Sequence, residues 1–103
     1  AVETGEYLRA RLRALREERP LLGDVRGAGL FTGVELTDAA GDPGAAAERV
    51  VNAMRRRRVL IGRTGPGGNV LKIRPPLVFG REHADLLVET LAAALDESGE
   101  ESR

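Results

Sequence analysis

Lys72 and Arg74 are the residues of this sequence best spaced to do chemistry. They stand two apart in Val70-Leu71-Lys72-Ile73-Arg74, a segment that reads as a strand stopped by Pro75-Pro76. Residues two apart on a strand share a face, roughly 7 Å from one another, which turns Leu71 and Ile73 to the core. Two cations side by side suit a carboxylate or a phosphate, and arginine can hold either through two parallel hydrogen bonds. The competing reading is a pair of ordinary salt bridges on a solvent face, with Glu35 as one partner. At this level both readings stand. Lys72 also has a compositional distinction, since fifteen of the sixteen basic residues are arginine and it is the only lysine.

Other candidates are weaker. His83 is the only histidine, and its neighbourhood offers just Glu82 and Asp85, so no metal cluster or nucleophilic triad is spelled out around it and it reads as a surface residue. The glycine-rich stretch Gly62–Asn69 has no lysine at the spacing a P-loop requires. Gly27-Ala28-Gly29-Leu30-Phe31-Thr32 lacks the third glycine of a dinucleotide fingerprint and leads into a strand instead of a helix. Arg55-Arg56-Arg57-Arg58 falls at a helix C-terminus, where cations suit the macrodipole, and reads as a solvated face. No catalytic, cofactor-binding or metal-ligating residue is assigned.

The elements that must position the two cations follow from periodicity. Leu8, Leu12 and Leu15 line one face of a helix over about residues 2–18, ended before Pro20. Leu30, Thr32, Val34 and Leu36 alternate with Phe31, Gly33 and Glu35 as a strand, with the preceding glycines marking a bend or a close approach of another backbone. Asp42 and Pro43 start a second helix whose apolar face is Ala47, Val50, Val51 and Met54. Val59-Leu60-Ile61 is expected to be a short strand, Gly62–Asn69 a loop, and Val70–Arg74 a further strand. Gly80 precedes a last helix to about Asp96, with Ala84, Leu87, Leu91, Ala94 and Leu95 as its stripe. The order α-ββ-α-ββ-α predicts an α+β, two-layer domain: a small sheet of about four strands covered by about three helices. Residues 1–97 are expected to form it, with 1–19 as the leading helix and 98–103 as a disordered polar tail.

Composition narrows the partners. Sixteen basic against sixteen acidic residues leave a formal charge of +0, which argues against a nucleic-acid footprint. Aromatics at 3% leave almost no base-stacking platform. The absence of cysteine removes disulfides and thiolate chemistry. No apolar run approaches the ~18 residues of a membrane span. The sequence starts Ala1-Val2-Glu3-Thr4, with its helical pattern already under way, and is expected to be a piece of a longer protein.

Two well-separated segments carry a resemblance. Arg26-Gly27-x-Gly29-Leu30-Phe31-x-Gly33-Val34-Glu35, followed by Val59-Leu60-Ile61-Gly62, is similar to the C-terminal part of class-III aminotransferases; so is Gly65-Pro66-x-x-Asn69-Val70-Leu71-Lys72-Ile73-Arg74-Pro75-Pro76-Leu77-Val78-Phe79. The resemblance runs from the first helix to about Leu95 and implies the small C-terminal domain of a fold-type-I pyridoxal-phosphate enzyme, packed on a large domain of the same chain that carries the cofactor and its Schiff-base lysine. It implies a cytoplasmic homodimer that moves an amino group between an amino acid or amine and a keto acid, with the fragment by itself inactive. Lys72 aligns three residues before the Pro-Pro pair, where many members place an arginine for the substrate's α-carboxylate; Arg74 shares its face and stands beside it as substrate-binding. A lysine there also resembles the branch of the family that acts on phosphorylated amino alcohols as a phospho-lyase. The reading from another class is a non-catalytic anion-binding or interaction module.

Overall fold

The computed structural model describes residues 2–28, 31–74 and 80–101. Helix α1 (Val2–Arg16) buries Leu8, Leu12 and Leu15, spaced to fall on one stripe. It leads into β1 (Leu22–Ala28) and β2 (Phe31–Leu36), an antiparallel pair in which Val25 faces Val34 and Ala28 faces Phe31. A 3-10 turn at Asp38–Ala40 precedes α2 (Pro43–Arg56). The Asp42 carboxylate accepts the Gly44 N–H as N-cap, and Pro43 sits where its missing N–H costs nothing. Strands β3 (Gly62–Thr64) and β4 (Val70–Ile73) then form a hairpin, and α3 (Arg81–Glu101) ends the fold.

The sheet order is β1-β2-β4-β3, and every neighbouring pair is antiparallel. Helices α1 and α2 pack on one face, and α3 lies against both helices. Val34, Leu36, Leu71 and Ile73 from the sheet meet Leu8, Leu12, Val50, Met54, Leu91 and Leu95 in one core. This is the α+β architecture expected from the order of elements. Among the described residues no helix covers the opposite face of the sheet, the face on which Lys72 stands.

Three expectations about boundaries are corrected. Val59–Ile61 is not a strand; the third strand is Gly62–Thr64, inside the stretch read as a loop. The reason is local. The Val59 N–H donates to the Met54 carbonyl at 2.9 Å and the Arg58 N–H to Arg55, so these residues close α2 in a Schellman turn and Leu60 is left 83% exposed. Gly65 and Gly68, both at positive φ, place the hairpin turn after Thr64, which fixes residues 62–64 as the paired ones. The last helix continues beyond Asp96 to Glu101, so residues 98–101 of the expected tail are helical. Ser98 is fully buried because it extends the 84-87-91-94 stripe by one more turn. Pro75–Phe79, which carry part of the resemblance, lie outside the described residues.

The arginine run is neither a patch nor wholly solvated. Arg56 and Arg57 both donate to the Glu97 carboxylate, at 2.7 and 3.1 Å, tying the end of α2 to α3. These two guanidinium groups, Arg56 foremost, hold the Glu97 carboxyl below the usual carboxylate range. Arg58 occupies the left-handed position of the helix cap, with φ 65°, where glycine meets no steric cost. Arg58→Gly is therefore expected to raise the unfolding free energy by about 0.5–1 kcal/mol. A higher urea midpoint at unchanged slope is the expected observation; an equal or lower midpoint contradicts this account of the cap.

Candidate anion-binding site

The pairing of β4 decides what surrounds its two cations. Gly33 of β2 stands opposite Lys72 on one side and Gly62 of β3 stands opposite it on the other. Both cross-strand neighbours of Lys72 thus lack a side chain, and an added Cβ at Gly62 would meet nothing within 4 Å. Lys72 is exposed while Leu71 and Ile73 on either side of it are buried, as the alternation predicts.

Phe31, at the start of β2, projects from the same face. The residue is 40% exposed, and the Lys72 Nζ lies 5.2 Å and the Arg74 Cζ 5.1 Å from its ring centroid. Both distances are within the range of cation–π attraction. The two cations therefore converge on one aromatic ring. Among the described residues no carboxylate pairs with either of them. The alternative of a salt bridge from this strand to Glu35 is not realised, because Glu35 accepts from Arg26 instead, which also binds Asp24, at 3.3 and 3.0 Å. Those hydrogen bonds, Asp24 first and then Glu35, raise the Arg26 guanidinium above its ordinary pKa.

The backbone beneath Phe31 is gripped from the core side. Arg9 of α1, buried although charged, donates from Nη1 to the Phe31 carbonyl at 3.3 Å and to the Thr32 hydroxyl at 3.4 Å. It can reach them because residue 27 is glycine: a Cβ there would lie 2.2 Å from the Phe31 oxygen and 3.0 Å from Arg9 Nη1. The hairpin turn after β3 is tied to α2. Arg63 donates to the Gly44 carbonyl at 3.1 Å, and Gly44 has no room for a Cβ, which would meet the Gly67 oxygen at 2.6 Å. It is Gly62, at the other end of β3, that flanks Lys72.

His83 does structural work. Its Nδ1 accepts the Gly80 N–H at 2.9 Å and so caps the start of α3. No cluster of three or more metal-ligating side chains occurs among the described residues. No helix among them is long and apolar enough to cross a membrane. Sequence reasoning paired Lys72 with Arg74 but missed Phe31, Gly33 and Gly62. The outward phase of Phe31 and Gly33 on β2 was readable, whereas their position beside Lys72 depends on strand register.

Three helices on a four-stranded antiparallel sheet of this form are shared with solved transaminase structures. Residues 1–95 match the profile of the aminotransferase class-III family, and the chain belongs to that family. An alanine–glyoxylate aminotransferase 2-like protein of Drosophila melanogaster is 41% identical over 94% of this chain and 21% of its own length. An ethanolamine-phosphate phospho-lyase homolog 1 of Caenorhabditis elegans is 33% identical over 88% of this chain and 20% of its own length. Among solved structures, a phospholyase from Arthrobacter in complex with phosphoethanolamine matches with a TM-score of 0.83 at 43% identity, over 92% of this chain and 23% of that one. The chain spans about a fifth of the length of the curated relatives it matches.

Proposed function

We propose that this chain is the small domain of a pyridoxal-phosphate-dependent transaminase, in which Lys72 and Arg74 hold the anionic end of an amino-acid or keto-acid substrate. One observation carries the proposal: two cations without carboxylate partners among the described residues converge on one sheet face of a class-III aminotransferase chain. A same-face cation pair that no carboxylate among the described residues neutralises, with bare glycines around it, keeps its charge and its space for an incoming anion.

The residues described here do not fit the cofactor itself. A Schiff-base lysine is desolvated within the cofactor's own site, whereas Lys72, the only lysine in the sequence, stands on the sheet face between Gly33 and Gly62 with its ammonium over Phe31, and no phosphate-holding or ring-holding group for the cofactor is built around it among the described residues. Cofactor and Schiff-base lysine are therefore assigned to the remainder of a longer protein, and no step of the reaction is routed through this chain beyond binding and orienting the substrate.

A second reading keeps the family and changes the reaction to elimination of phosphate from an amino-alcohol phosphate. It is favoured by the lysine, a compact point charge where a planar fork would suit an α-carboxylate, and by the similarity to a phospholyase seen with phosphoethanolamine. The protein that carries this domain should transfer an amino group in a reaction that depends on added keto acid, and should release no phosphate from phosphoethanolamine. Phosphate release without keto-acid dependence overturns the transaminase reading in favour of the second.

A further inference from the structure

We propose that Phe31 is a positioning residue that holds Lys72 and Arg74 together as one two-cation site. The inference rests on the reading of those cations as a substrate anchor and names what assembles it. Two like charges on neighbouring same-face positions repel each other, and a long lysine side chain is free to swing away. A carboxylate between them would relieve the repulsion, but it would neutralise the charge an incoming anion needs. An aromatic face attracts both cations through its quadrupole and leaves their net charge intact. Phe31 meets this requirement, with Lys72 Nζ 5.2 Å and Arg74 Cζ 5.1 Å from the ring centroid.

The surroundings support the assignment. Gly33 and Gly62 give Lys72 no cross-strand side chain to lean on. Buried Arg9 holds the Phe31 carbonyl at 3.3 Å, so the backbone that carries the ring is fastened from the core side. An exposed phenylalanine whose ring both cations approach is explained by that task.

The single lysine makes the test direct, because 13C labelling at the lysine ε-carbon gives this chain one resonance. In the wild type, the attached ε-protons should show a ring-current displacement, and titration with inorganic phosphate should move the signal. Phe31→Leu should abolish the displacement and weaken phosphate binding by about threefold to tenfold, while Phe31→Tyr retains both. An undisplaced wild-type signal overturns the proposal without recourse to any variant. Equal phosphate affinity in wild type and Phe31→Leu overturns it as well, and leaves the anchor reading standing. A wild-type signal that does not respond to phosphate removes the anchor reading, and this inference with it.

Discussion

Gly27→Ala is expected to cost about 3 kcal/mol of stability, at the upper end of what overpacking usually costs. The added Cβ would lie 2.2 Å from the Phe31 carbonyl oxygen, a backbone atom of the neighbouring strand that cannot rotate out of the way. It would also crowd Arg9 at Nη1 and Cδ, 3.0 and 3.1 Å away, and so strike the buried guanidinium that grips β2. Relief requires β1 and β2 to separate where Gly27 faces Thr32, or Arg9 to withdraw from its buried position. Of a total stability of about 5–15 kcal/mol, this loss is large. Urea unfolding should show a much lower midpoint at unchanged slope. Gly62→Ala is the control, since nothing lies within 4 Å of its added Cβ, and its midpoint should stay near that of the wild type. A Gly27→Ala midpoint equal to that of the wild type would contradict the close approach of β1, Arg9 and Phe31.

Much of this architecture is legible in the sequence, for identifiable reasons. Leu8, Leu12 and Leu15 specify a helix face by spacing alone, and Asp42-Pro43 marks a helix start through capping chemistry, so both are local signals. The outward phase of Lys72 and Arg74 is equally local, being set by the two-residue period of a strand. Val59–Ile61 misleads because an apolar triplet looks like a strand, while the Val59 N–H is committed to closing α2. Ser98 misleads in the opposite sense: its polar type ends the apparent stripe, while its spacing keeps it buried on α3. The site itself is the least local feature. That Lys72 lies between two glycines and over Phe31 depends on how β4 registers with β2 and β3, and one residue of slip would turn every side chain of the strand to the other face. The cations can be found from the sequence; what surrounds them cannot.

The second large effect concerns Lys72. On the proposed function, Lys72→Ala in the full-length protein is expected to remove a charge-assisted hydrogen bond to the substrate's anionic group, a contact of about 1.5–3 kcal/mol. That corresponds to a rise in KM of roughly 10- to 150-fold. The proposed contact is to a non-reacting end of the substrate, in ground state and transition state alike, so kcat should change far less than KM. Lys72→Arg keeps the charge over Phe31 and should recover most of the affinity. The visible absorbance of bound pyridoxal phosphate should persist in both variants, since the exposed Lys72 is not assigned to the cofactor. The measurement that tests the account most directly is therefore the steady-state KM and kcat of Lys72→Ala, recorded alongside the cofactor spectrum. The predicted result is a strongly raised KM with the spectrum intact; an unchanged KM would take Lys72 out of the site, and a lost cofactor band would place it on the cofactor instead.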